Sequence, residues 1–149
     1  MTQARYWIGV ASRQHVLKGM AGGFTQLCHG KERPLKRMAK GDLIIYYSPQ
    51  EVLGEKQLCQ RFTAIGEVIG DDIYQVAMAP GFIPFRRDIR FLAAKEIPIR
   101  PLIDHLSFIK DKNHWGYVFR YGHVQIHRAD FQLIAEAMSA GISKQKEEK

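Results

Sequence analysis

Residues 41–48 read Gly41-Asp42-Leu43-Ile44-Ile45-Tyr46-Tyr47-Ser48, a turn followed by a run that is almost wholly apolar or aromatic. A strand with apolar residues at both parities has no solvent face, so it belongs inside a sheet that is covered on both sides. On its N-terminal side lies a second short run of the same kind, Arg5 to Ala11, carrying Tyr6, Trp7, Ile8 and Val10. Ser12 then stands where a helix N-cap belongs, ahead of Val16, Leu17 and Met20 at helical spacing, and Gly22-Gly23 ends that helix. Residues 31–40 set five cations against one acid, and Pro34 predicts a short helical turn with Leu35 and Met38 facing inward.

On the C-terminal side, residues 49–56 are polar and predict an exposed loop. Gln57 to Ile69 alternates as a strand, Asp71-Asp72 predicts a turn, and Ile73 to Met78 predicts the returning strand of a hairpin. Phe85, Arg87, Ile89 and Phe91 alternate with Arg86, Asp88, Arg90 and Leu92, the pattern of a half-exposed strand. A helical turn is expected around Leu102, Ile103, Leu106 and Phe108, and one or two short strands between Val118 and Ile126. Arg128 to Ala140 reads as a helix with Phe131, Ile134 and Met138 on one stripe and Gly141 as its stop. Several twisted strands with peripheral helices exclude a doubly wound sheet. The expectation is an α+β pseudo-barrel of about five to six mixed strands.

The chain has 149 residues, 46% hydrophobic and 25% charged, which suits one core and one domain over residues 1–141, with 142–149 as a flexible charged tail. No stretch approaches the roughly 18 apolar residues of a membrane span. The first ten residues do not read as a signal peptide, so no membrane partner and a cytoplasmic location are expected. Cys28 and Cys59 lack metal-ligand spacing and are expected to be free thiols. Lys and Arg number 22 against 15 Asp and Glu, a net charge of +7 that favours polyanionic partners, because each neutralised phosphate releases condensed counterions.

The residues offer little to an enzyme. Asp71-Asp72 reads as a solvated turn. Cys28-His29 are sequence neighbours, which rarely face each other as nucleophile and base. The six histidines include no pair at zinc-helix spacing, and there is no glycine-rich phosphate loop. Neither a metal nor a cofactor is expected. Binding chemistry is better represented: aromatic rings fall beside polar or basic groups at Trp7 and Ser12, Phe24 with Gln26 and His29, Tyr46-Tyr47-Ser48, and Phe85 with Arg86-Arg87. An extruded base needs flat apolar faces and a few hydrogen-bonding groups at its edge. Trp7, Tyr46 and Phe62, each taken singly, read as core.

Taken in order, these blocks resemble the EVE domain, a PUA-like relative of the YTH domains. The resemblance runs from Tyr6-Trp7-Ile8 and Ser12 through Gly23-Phe24, His29-Gly30-Lys31, Gly41-Asp42, Tyr46-Tyr47-Ser48-Pro49 and Phe62-Thr63-Ala64-Ile65-Gly66. It continues through Phe85-Arg86-Arg87, Pro101-Leu102-Ile103, Leu106-Ser107-Phe108-Ile109, Trp115-Gly116 and the helix from Ala129 to Met138. It implies a concave pocket beside a basic surface, in a superfamily known chiefly for RNA binding. YTH relatives hold a methylated adenine in an aromatic cage, and EVE domains are linked to modified cytosine in DNA.

Carried over by position, the pocket would draw on Ser12, Phe24, Thr25, Gln26, His29, Tyr47, Ser48, Phe85 and Arg86, with Trp115 as a wall or plain core. Phe24 stands where a related domain places a cage Trp, and it lacks the indole N–H. Lys31, Arg33, Lys36, Arg37, Arg86, Arg87 and Arg90 would grip the phosphate backbone. A flipped base would stack between Phe24 and Phe85 or Tyr47, with Ser12 and Gln26 reading its polar edge. The expected function is a non-catalytic module that reads a modified base in RNA or DNA. The alternatives are a free-nucleotide or small-molecule binder using the same pocket, a base-modifying or hydrolytic enzyme built on Cys28, His29 or Asp42, and a module whose basic face meets an acidic protein.

Overall fold

A computed structural model describes residues 4–140; Gly141 and the expected tail lie outside them. Strand β1 (Tyr6–Val10) runs parallel to β3 (Leu43–Gln50), pairing Tyr6 with Leu43 and Val10 with Tyr47. Its other edge is taken by the antiparallel β7 (His123–Ile126). Antiparallel pairing continues from β3 to β4 (Leu58–Gln75), from β4 to β5 (Phe85–Phe91), and from β5 to the two-residue β2 (Phe24–Thr25). A second two-residue strand, β6 (Ile97–Pro98), pairs with β4. The result is the expected α+β arrangement, one mixed sheet of seven strands in the order β2-β5-β4-β3-β1-β7 with β6 to the side.

The apolar run that begins at Leu43 sits at the middle of this order, which is why it has no polar parity. Ile45 and Tyr47 face one core with Ile8, Phe62, Leu106 and Ile109, closed by α3 (Arg128–Ala137) through Phe131 and Ile134. Ile44 and Tyr46 face a second core with Trp7, Val68 and Ile89. That core is closed by Val16 of α1 (Arg13–Gly22) and by Leu35 of α2 (Arg33–Arg37). Ile44 and Ile45 are both fully buried, each contributing about 1.5–3 kcal/mol. The Ser12 hydroxyl accepts from the His15 amide at 3.2 Å to cap α1, and Gly23 ends the helix at φ 73°. No helix among the described residues is long and apolar enough to cross a membrane.

Two local expectations change. Asp71-Asp72 is not a hairpin turn: β4 runs on to Gln75 as an 18-residue strand, and the chain reverses further along, at Ala79–Phe82. The two acids fall where the β4–β5 register slips between Val68 and Ile73, a bulge that leaves ladder groups unpaired. Arg87 repairs it. Its Nε donates to the Gly70 carbonyl at 2.9 Å, and its Nη1 donates to the carbonyls of Leu35 at 2.8 Å and Met38 at 2.5 Å. Arg87 is therefore a buried tie between the bulge and α2, 6% exposed, and not a surface cation open to phosphate.

Candidate nucleic-acid interface

A small cleft opens between α1 and the β2 edge of the sheet, lined by His15, Val16, Gly19, Phe24, Thr25, Gln26, Tyr46 and Phe91. Its empty volume is about 190 Å³, part of it open to solvent. Arg86 contacts two of its lining residues. The guanidinium carbon lies 3.8 Å from the centre of the Phe24 ring, and Nε donates to Gln26 Oε1 at 3.0 Å. Phe24 comes to Arg86 because β2 pairs with β5, with Phe24 opposite Asp88 and Thr25 opposite Arg87.

Polar groups line the base of the cleft. The Tyr46 hydroxyl donates to Thr25 Oγ1, and burial raises the Tyr46 pKa, so the phenol keeps its proton. Having accepted that bond, the Thr25 hydroxyl still has its own proton to donate. His15 Nε2 donates to the Gln26 carbonyl at 2.9 Å, and burial lowers the His15 pKa, favouring the neutral ring. Because Arg86 fixes the Gln26 oxygen, the amide NH₂ remains the donor end of that side chain.

The structure thus brings together Phe24, Thr25, Gln26 and Arg86 and adds His15, Tyr46 and Phe91. It does not bring Tyr47 to Phe24. Tyr47 belongs to the other core, stacked on Phe119 at 4.3 Å and edge-on to Trp115 at 6.4 Å. Ser48 is fully buried, its hydroxyl 2.8 Å from that of Thr63. Ser12 is spent on its cap, and Phe85 packs against the second core without lining the cleft. The reason is the pleat. Tyr46 and Tyr47 are neighbours on β3 and project to opposite faces, and only the pairing partners decide which face meets Phe24. Phe91 carried a signal, since it shares the buried parity of Ile89; His15, one turn into α1, carried none.

Beyond Gln26 the backbone enters a left-handed turn, with φ of 51° at Cys28, 62° at His29 and 83° at Gly30. Such a conformation costs a non-glycine residue about 1–2 kcal/mol. It leaves His29 exposed and starts the basic segment on which Lys31, Arg33, Lys36 and Arg37 are all exposed. Lys36 pairs with Glu32 at 3.5 Å, Arg37 lies 5.3 Å from the Trp7 ring centre, and Arg90 is exposed but paired with Glu67. Two of the residues considered for catalysis, Cys28 and Asp42, are held otherwise. Burial pushes the Cys28 thiol pKa up, the opposite of an activated nucleophile. Asp42 is buried, accepting from Trp7 Nε1 at 2.9 Å and from the amides of Ala39 and Arg5.

The family model described as EVE domain matches residues 5–137. A UPF0310 protein of Bacillus licheniformis is 57% identical over 85% of this chain and 86% of its own length. The UPF0310 protein YdcG of Bacillus subtilis is 49% identical over 93% of this chain and 94% of its own. Among solved structures, the YTH domain of Zygosaccharomyces rouxii MRB1 protein, in complex with N6-methyladenosine RNA, superposes with a TM-score of 0.60 at 15% identity, covering 93% of this chain and 88% of that one. Protein Atu2648 of Agrobacterium tumefaciens gives 0.54 at 13% identity, covering 94% and 95%. At such identities the likeness is one of fold.

Proposed function

The chain belongs to the EVE domain family, and on that footing we propose that it is a non-catalytic nucleic-acid-binding module whose Phe24 cleft receives a single base. The observation that carries this reading is the Arg86–Phe24–Gln26 arrangement, in which a flat cation lies on a flat ring while its Nε is held by a buried amide. A guanidinium plane and a nucleobase have similar shape and the same preference for an aromatic face. Arg86 therefore keeps the stacking face of Phe24 covered until a base takes its place.

In this account the cleft admits a base only when Arg86 lifts, since the guanidinium occupies the face of Phe24 on which the base would stack. The incoming base stacks on Phe24, the Gln26 NH₂ and the Thr25 hydroxyl read its edge, and Val16 and Phe91 supply apolar wall for a modification. One added methyl group in such a wall is worth about 1–3 kcal/mol. The displaced Arg86 joins Lys31, Arg33, Lys36 and Arg37 in meeting the backbone, which sets orientation without reading sequence. The structural neighbour solved with N6-methyladenosine RNA and the net charge of +7 both favour this reading.

Fluorescence anisotropy with labelled single strands tests it, using N6-methyladenine, 5-methylcytosine and their unmodified counterparts at one position. One modified strand binds more tightly than its counterpart, and Phe24→Ala removes the preference and costs about 1–3 kcal/mol. Affinity falls steeply with salt, as backbone contacts require. Equal affinity for every strand, unchanged by Phe24→Ala, refutes base reading. A free nucleotide binding as tightly as a strand, with no salt dependence, assigns the cleft to small molecules instead.

A further inference from the structure

Away from the cleft, the helical segment Lys112–Tyr121 presents a second aromatic and cationic group that neither the fold nor the cleft uses. Tyr117 and Tyr121 are 64% and 61% exposed, although large aromatic side chains are usually well covered. Arg120 contacts both rings. Its guanidinium carbon is 3.3 Å from the Tyr117 ring centre and 4.1 Å from that of Tyr121. The arrangement is held, not incidental: Arg120 Nη1 donates to the Tyr117 carbonyl at 3.0 Å, and Nη2 donates to the Tyr121 hydroxyl. A guanidinium held against two rings orders both before any partner arrives and so reduces the entropy lost on binding.

The surroundings fit a polyanion. From residue 100 to residue 121, Arg100, Lys110, Lys112 and Arg120 stand against Asp104 and Asp111, and Asp111 is paired with His114 at 2.9 Å. Lys112 Nζ is spent on the carbonyls of Ile103, Leu106 and Ile109, and Arg100 donates to Gln60. Lys110 and Arg120 are therefore the exposed cations best placed to meet phosphate. The group is also tied to the chain that leaves the cleft. The Cys28 thiol donates to the Tyr121 carbonyl at 3.6 Å. Gly122, at φ 77°, packs so closely on Cys28 that a β-carbon there would lie 2.8 Å from the sulfur. Cys28 is two residues beyond Gln26, so Tyr121 adjoins the segment whose side chain holds Arg86 over Phe24.

We propose that the Tyr117–Arg120–Tyr121 stack is a second base platform, which holds nucleotides neighbouring the one in the Phe24 cleft and makes the ligand a single strand. This rests on the cleft being a base site. Exposed ring faces attract unstacked bases of any sequence, and a duplex offers none because its bases already stack on one another. The cleft supplies selectivity and the platform supplies affinity without it.

The test uses the full chain and two labelled single strands of about nine nucleotides. One carries a modified base in normal sequence, and the other carries it between abasic flanks. Wild type is expected to bind the intact strand about tenfold or more tightly than the abasic-flanked one. The Tyr117→Ser, Tyr121→Ser double variant, altered only at exposed positions, binds both alike yet still prefers modified over unmodified base. The Tyr117→Phe, Tyr121→Phe variant keeps the tenfold advantage because it keeps the rings. If the double serine variant matches wild type on both strands while wild type still reads the modification, the platform is refuted and the cleft stands. If wild type reads no base at all, the cleft fails and the platform with it.

Discussion

The Arg86 guanidinium lies over the Phe24 ring, its carbon 3.8 Å from the ring centre, on two strands paired at the edge of the sheet. The contact covers the surface that a base would use, so removing the arginine has separable effects. Arg86→Ala is expected to change stability by less than about 1 kcal/mol, the range of a partly exposed cation–π pair. The slope of log affinity against log salt, measured with a single strand, is expected to fall by about 0.7 as one phosphate contact disappears. An unchanged slope would mean that Arg86 stays seated and never reaches the backbone.

Arg87, the next residue, predicts the reverse pattern. Arg87→Met leaves the carbonyls of Gly70, Leu35 and Met38 without their donor inside the protein. The expected loss, read from urea unfolding, is about 3 kcal/mol or more, since each buried unsatisfied group costs about 1–3 kcal/mol. Nucleic-acid affinity of the folded fraction stays as it was. A stable variant with uniformly weakened binding would place Arg87 at phosphate after all.

His123 links stability to pH. It is 3% exposed, stacked on Trp7 with ring centres 4.5 Å apart, and neither ring nitrogen has a hydrogen-bond partner among the described residues. Burial, with Arg37 nearby, lowers its pKa from 6.5 to about 4. Between those values the unfolded chain binds a proton that the folded chain refuses, so stability falls as pH drops from about 6.5 toward about 4 and is independent of this group above that window. The difference amounts to about 3 kcal/mol. His123→Phe keeps a ring on Trp7 and removes the proton, and chemical denaturation at about pH 7 and pH 4 is expected to show a loss about 3 kcal/mol smaller than in wild type. His15 shifts in the same direction and adds to the slope in both proteins, so it cancels in the comparison. Equal acid sensitivity of variant and wild type would remove His123 from the account.

Tyr46 offers a fourth check. Tyr46→Phe deletes only the hydroxyl that donates to Thr25 and keeps the ring in the second core. Thermal unfolding is expected to show a loss of about 1 kcal/mol, the net worth of one hydrogen bond. In binding, the variant changes the preference among base edges more than it changes overall affinity, because Thr25 loses its fixed orientation. A uniform loss across all strands would instead assign Tyr46 to support of the fold alone.

The strand from Leu43, the Ser12 cap, the inward Leu35 and Met38 and the stripe on α3 were legible because each is a local pattern imposed by burial. The cleft was legible only in part. Phe24, Thr25 and Gln26 are contiguous, so finding one finds the others. Choosing Tyr46 over Tyr47 requires knowing which face of β3 meets β2, and β2 reaches β3 only through β5 and β4. Arg87 did announce itself: its parity matches Phe85, Ile89 and Phe91, the buried face of β5, but its charge suggested a surface role. The Asp71-Asp72 bulge looked like a turn because acids beside a glycine mark turns. What keeps the chain extended is the arginine that satisfies Gly70 from the neighbouring strand.

The most direct measurement is nuclear magnetic resonance of the Phe24 ring and the Arg86 Nε–H with a single strand carrying a modified base. On saturation, the Phe24 ring protons are expected to show contacts to one base of the strand, and the Arg86 Nε–H resonance shifts as its bond to Gln26 opens. Base contacts confined to other rings, with Phe24 and Arg86 unperturbed at saturation, would contradict the claim that this cleft receives a base.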